Sequence, residues 1–252
     1  MFTINHFIWI GICIVIVIGM TIISKKLNFS LKTASIVMAI VSIISELSKI
    51  FTHMKNVSST DITKGMVIEA GALPLHLCSI FIFLFMWLPF SKESDKRKFL
   101  LNFCVPISIV GGSMAIIMAT SGVSFVEPYA YQCFIYHAFM VWFAIYLIMS
   151  KNCDLGIKSF VKNVVSLFAL SIIMIWVNGA LAVYNTNFLY VVRPPVKNLP
   201  ILNLNNGWFV YYCTLVVIGV IALLLVHLPS IIKEHKSKKI IQNESEDNKN
   251  QA

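Results

Sequence analysis

Cys78 is the side chain in this sequence whose type and setting best suit nucleophilic chemistry. It lies in the stretch ALPLHLCSIFIFLFMWLPF, residues 72–90, two positions after His76 and otherwise surrounded by hydrocarbon. A cysteine nucleophile acts as its thiolate and needs a base at hydrogen-bonding distance. Pro74 suits the first turn of a helix, where its missing N–H costs nothing. Cys78 then falls about one turn in, near the positive end of the helix dipole, a place that favours thiolate. His76 is the nearest base in sequence, but two residues along a helix turn a side chain through about 200°. The same divergence argues against tetrahedral metal ligation by His76, Cys78 and His137, so no metal is expected. GxSxG, HExxH and phosphate-loop signatures do not occur in the sequence, and no cofactor is called for.

The elements that must position Cys78 follow from composition. The 252 residues are 58% hydrophobic and only 12% charged, about half the charge of a soluble domain, and the mean hydropathy is +0.82. A chain this apolar cannot cover its own surface with polar groups, so it is an integral membrane protein. Seven apolar windows are long enough to cross ~30 Å of hydrocarbon: residues 7–23, 31–51, 73–90, 98–119, 129–149, 160–184 and 207–228. The expected fold is therefore all-α and polytopic, with a seven-helix transmembrane domain over 1–232 and a polar, disordered tail over 233–252. The first window has no basic leader and no small-residue cleavage site, so it reads as an anchor.

The formal charge of +9 does not point to nucleic acid, because the cations sort by membrane side. Fifteen Lys and Arg residues follow windows 1, 3, 5 and 7, whereas four (Lys55, Lys64, Arg193 and Lys197) follow windows 2, 4 and 6. The positive-inside rule then puts the N-terminus outside and the C-terminus in the cytoplasm. This orientation converts sequence position into depth. Glu46 near the end of window 2, Cys78 near the start of window 3, His137 in window 5 and Asn178 in window 6 share the outer half of the bundle. His137, on another helix at matching depth, is the better-directed base for Cys78.

Each of these residues also has a plainer reading. Glu46 shares a helical face with Ser42, Ser45 and Lys49, and a Glu46–Lys49 pair with the lysine snorkelling outward accounts for it. Asn178 serves equally as interhelical glue or as an oxyanion donor alongside a backbone N–H. Cys13, Cys104, Cys133 and Cys213 read as small packing residues, and the six cysteines show no disulfide framework. Gly111, Ala115 and Ala119, four residues apart, read as close helix packing. The segment from Asn185 to Asn206 is long for a connection between bundled helices and is expected to fold over the mouth of the polar slab, with Arg193 available to a lipid phosphate or carboxylate.

Three motifs carry a resemblance: LPLHLC (73–78), YHAFMVW (136–142) and NTNFLYVVRPP (185–195). Together they resemble YwaF-type integral membrane proteins of bacteria over essentially the whole chain. Those proteins are similar to a vertebrate cysteine-dependent acyltransferase that remodels ether phospholipids, and more distantly to androgen-induced hydrolases of fatty-acid esters. The resemblance implies that Cys78 is the acyl-accepting cysteine and His137 its partner. His76 and Glu46 fall within polar motif positions, and Arg193 falls where the family carries Lys or Arg before Pro. The implied function is a lipid acyltransferase or ester hydrolase of the bacterial cell membrane, multi-pass, with membrane lipids as substrates. The competing reading is a non-enzymatic transporter or receptor-like bundle that binds a small molecule in the same slab.

Overall fold

The computed structural model describes residues 2–57, 65–119, 122–196 and 199–250. Its elements in chain order are α1 (Ile4–Lys26), α2 (Leu31–His53), β1 (Met54–Val57), β2 (Gly65–Ile68), α3 (Leu77–Trp87), α4 (Asp95–Met118), α5 (Pro128–Met149), α6 (Ile157–Ala180) and α7 (Trp208–Asn250). The strands β1 and β2 pair antiparallel as a small ribbon between α2 and α3. Everything else regular among the described residues is helical.

Local chemistry starts these helices where the sequence allows. The Thr3 side chain accepts from the His6 N–H to cap α1, and Ser94 accepts from Arg97 N–H ahead of α4, each satisfying a first-turn donor that has no intrahelical partner. Pro128 opens α5 at a position where a missing N–H is harmless. Among the described residues, six helices are long and apolar enough to cross a membrane: α1, α2, α4, α5, α6 and α7.

The third apolar window behaves differently. Its helix begins at Leu77, not at 73, and spans 11 residues before a 3-10 turn at Leu88–Phe90. At 1.5 Å per residue that is about 16 Å. Pro74 accounts for Leu73, which is held extended at φ −55°, ψ 146°, as the steric demand of a following proline requires. Pro74 thus sits ahead of the helix, and Cys78 is the second residue of α3, closer to its N-terminus than the sequence suggests. Non-helical backbone in an apolar segment is tolerated where it lines a cavity instead of facing lipid. Gly71, Ala72, Leu73 and His76 do line one.

Helix α5 forms the centre, packed by α1, α2 and α4. Phe134, Ala138, Trp142, Phe143 and Ala144 on it are fully buried. The outer helices leave apolar stripes exposed, including Phe7, Val15, Ile18 and Ile22 on α1, and Val161, Val165, Phe168 and Ile172 on α6. Spacings of three and four residues put each stripe on one helical face, and exposed hydrocarbon of this extent is what lipid covers.

The polar segment expected to be disordered from residue 233 instead continues α7 as helix to Asn250. Its opening turns are supported on both sides. Glu234 accepts from the Ile157 N–H at the start of α6 (3.3 Å), and Lys238 donates to Glu234 one turn away (2.6 Å), the i,i+4 order that favours helix.

Candidate functional site

A cavity of about 510 Å³ runs into the bundle, within the usual size of ligand pockets. Its polar end lies between α2, the start of α3 and α5. Ser45, Glu46, Lys49, His76, Cys78, Gln132, Cys133, Tyr136 and His137 line that end. Its mainly apolar part lies between α4, α6 and α7, past Met114, Met118, Leu167, Leu215 and Leu223, where Ser171 and Tyr212 are hydrogen-bonded to each other.

Cys78 and His137 both line the polar end, near enough for the thiol and the imidazole to interact. The ring of His137 is fixed by its own helix, because Nδ1 lies 2.6 Å from the Cys133 carbonyl one turn earlier. A carbonyl only accepts, so Nδ1 carries the proton in that bond, and Nε2 is left as the ring's acceptor. The Cys133 thiol lies 3.6 Å from the same Nδ1. On the other side, the Tyr136 hydroxyl donates to the Cys78 carbonyl at 2.8 Å and ties α5 to the first turn of α3. No side chain caps that turn, so its first backbone N–H groups have no side-chain acceptor.

Gly112 explains how α4 and α5 come close enough to build this. A Cβ placed there would lie 2.9 Å from Val141 Cγ2 and 3.2 Å from the His137 carbonyl. Gly111 has nothing within 4 Å of such a Cβ and lines the cavity. The close approach in α4 is therefore made by Gly112 and not by the Gly111–Ala115–Ala119 stripe.

Glu46 and Lys49 form the expected ion pair, at 2.8 Å, but the lysine does not snorkel outward. It is 7% exposed, lines the cavity and donates to Ser79 Oγ at 3.4 Å. Ser79 is the neighbour of Cys78, so a buried cation stands beside the thiol. His76 is the residue before the first turn of α3. Its ring packs on Phe188 and Tyr190, both at 5.4 Å between centroids, so it joins α3 to the 185–206 segment.

Asn178 is not in this cavity. Its Nδ2 donates to the Met174 and Phe188 carbonyls (2.7 and 3.1 Å) and its Oδ1 accepts from the Phe188 N–H (2.8 Å). With both ends of the amide committed, it clamps the strap formed by residues 185–195 and is no oxyanion donor. Arg193 likewise turns away from Cys78. Its guanidinium donates to the Asn185 side chain (2.8 Å) and to the Asn185 carbonyl (2.5 Å). Asn187 accepts from the N–H groups of Val192 and Arg193 at 3.2 Å each and donates to the Arg193 carbonyl at 2.8 Å. The NTN…RP motif is thus the strap's own internal lacing. Tyr211 and Trp208 of α7 add donors to the carbonyls of Tyr190 and Val191. These ties hold Leu189 and Tyr190 in the left-handed region, both at φ 55°, at a cost of about 1–3 kcal/mol each. In exchange, Leu189, Tyr190 and Val191 roof the cavity.

The sequence reading missed Cys133, Tyr136, Lys49 and Ser79 as parts of the site. The signal for Cys133 was its position one helical turn before His137, on the same face. Among the described residues no group of three His, Cys, Asp or Glu side chains is arranged to hold a metal ion.

These features define a polytopic helical membrane protein with a lidded internal cavity. The sequence profile described as the TMEM164 family matches residues 1–227, and the chain belongs to that family. No curated protein and no solved structure matches it.

Proposed function

We propose that this chain is a membrane-embedded lipid acyltransferase or ester hydrolase working through a cysteine thioester. The observation that carries the reading is the placing of Cys78 and His137 together at the polar end of a largely apolar cavity. In the first half-reaction the Cys78 sulfur attacks the ester carbonyl carbon while His137 Nε2 takes the thiol proton. The tetrahedral oxyanion is met by first-turn N–H groups of α3, with the Lys49 cation nearby. Collapse breaks the carbon–oxygen ester bond, and the imidazolium returns its proton to the departing alkoxide, leaving an acyl group on Cys78. A lysolipid hydroxyl or water then attacks the thioester, again with His137 as base, and restores the thiol. The resemblance of LPLHLC and YHAFMVW to YwaF-type proteins, and through them to the ether-phospholipid acyltransferase, supports the same assignment.

The cavity shape supports a lipid substrate: polar groups stand at one end and methionine- and leucine-lined walls extend from it. In this reading α3 with its flanking turns counts as a seventh span. The N-terminus is then outside and the C-terminus in the cytoplasm of a bacterial cell, with the site in the outer half of the bilayer.

Turnover of a fluorescent acyl phospholipid by purified protein tests the proposal. Cys78→Ala and Cys78→Ser should each abolish turnover while the protein stays folded, and His137→Ala should lower it by at least about 100-fold. Full turnover in a folded Cys78→Ala protein would remove the covalent mechanism and leave small-molecule binding in the same cavity as the better reading.

A further inference from the structure

We propose that a second pocket, behind the strap and separate from the Cys78 cavity, is a binding site for a phosphate oxyanion, built from Arg193 and Thr186. The pocket has a volume of about 300 Å³ and is lined by the end of α6, the strap and Trp208. Two observations independent of Cys78 point to its ligand. Among the described residues, Arg193 is the one charged residue that lines the pocket. A guanidinium stays charged under all ordinary conditions and presents five N–H donors; Asn185 engages one nitrogen through its side chain and another through its carbonyl. The second observation is Thr186. It is 4% exposed, and its buried hydroxyl has no hydrogen-bond partner among the described residues.

A ligand that satisfies both groups must bring oxygen acceptors and negative charge. A cation would be repelled by Arg193, and an apolar molecule would leave the hydroxyl unpaired. A phosphate monoester or diester meets both demands, because its oxygens accept from guanidinium and hydroxyl together. Val183 and Tyr184, which precede the strap, are 86% and 65% exposed, as apolar and amphipathic groups in a membrane interface are. Lipid phosphates lie at that level, and free phosphate reaches it from water. The strap carries this pocket on one side and the roof of the Cys78 cavity on the other, so a bound anion holds the roof in place. This inference does not rest on the cysteine chemistry.

Thermal unfolding of the full chain in uncharged maltoside micelles provides the test. One arm replaces chloride by inorganic phosphate at constant ionic strength. The other adds phosphatidylglycerol or, as its phosphate-free counterpart, diacylglycerol. A midpoint that rises with inorganic phosphate identifies a free-phosphate site; a rise with phosphatidylglycerol alone identifies a lipid headgroup site. Diacylglycerol should give no comparable rise. Arg193→Met should weaken the response at least about tenfold in ligand concentration. Thr186→Val, which leaves the Arg193–Asn185 contacts untouched, should weaken it a few-fold, and it decides the matter if Arg193→Met does not fold. Indifference of the wild-type protein to both phosphate sources, or an unchanged response in Thr186→Val, overturns the site.

Discussion

The Cys78–His137 contact depends on bonds that each residue makes elsewhere. His137 is oriented by the Cys133 carbonyl, Cys78 is held through its own carbonyl by Tyr136, and Lys49 reaches the neighbouring Ser79. A lysine buried at this level costs several kcal/mol before pairing, and the Glu46 carboxylate offsets part of that. If the cation's role is to stabilise negative charge at Cys78, the two partners should act with opposite signs. At near-neutral pH, Lys49→Met should slow alkylation of Cys78 by iodoacetamide about tenfold. Glu46→Gln, which leaves the cation uncompensated, should speed it. A pair that only packs would change neither rate in a folded protein. Cys213 is exposed and would compete for reagent, so the measurement belongs in a Cys213→Ser background. Cys153, in the α5–α6 connection, competes little, since burial and the nearby Asp154 push its thiol up to about 11.

At the scale of elements, six of the seven expected helices begin within three residues of their apolar windows, because continuous hydrophobicity marks spans directly. The start of α3 was less legible. Its window is as apolar as the others; Pro74 keeps Leu73 out of the helix, and hydropathy does not mark the turn that follows before Leu77. The strap was legible as a cover from its length but not in its function as a lacing of asparagines. Side-chain bonds between Asn185, Asn187 and Arg193 leave no trace in hydropathy. In α4 a four-residue stripe drew the eye to Gly111, while the contact that matters is one residue further on. The two glycines predict different failures. Gly111→Leu should fill the apolar end of the cavity and shift turnover toward shorter acyl chains, with at least about a tenfold loss on the longest, since overpacking costs about 1–3 kcal/mol. Gly112→Ala should instead press on Val141 and the His137 backbone, lowering thermal stability and turnover of all chain lengths alike. A chain-length profile unchanged in Gly111→Leu would mean that acyl chains lie elsewhere.

For the whole molecule, one polar network sits at each end of the bundle, and most cations lie at the end opposite the strap. The end expected to be cytoplasmic is tied together through Asn102, Asp154, Asn163 and His227. Asn102 accepts from the Asp154 N–H (2.8 Å), Asn163 donates to the Asn102 carbonyl (3.0 Å), and His227 bonds the Leu155 carbonyl (2.9 Å). The other end carries the strap and the cavity mouth. The lysine counts set only an expectation of which end is which, and they cannot reveal that network, because Asn163 and His227 are 64 residues apart and meet only once α6 and α7 pack. Topology reporters fused after residue 155 and at the C-terminus should both report cytoplasm. A disagreement between them would mean that the span count between α6 and α7 is wrong.

The most direct test of acyl transfer through Cys78 is the mass of the protein itself. After incubation with a phospholipid of defined acyl chain, rapid acid quenching and intact mass spectrometry should show one added acyl group. Peptide mapping should place it on Cys78, and neutral hydroxylamine should remove it, as it does thioesters. The adduct should accumulate further when the acceptor is withheld and the base is lost in His137→Ala after acylation by an activated thioester. Turnover by a protein that never carries a hydroxylamine-sensitive acyl group on Cys78, under quenching fast enough to trap one, would contradict the mechanism.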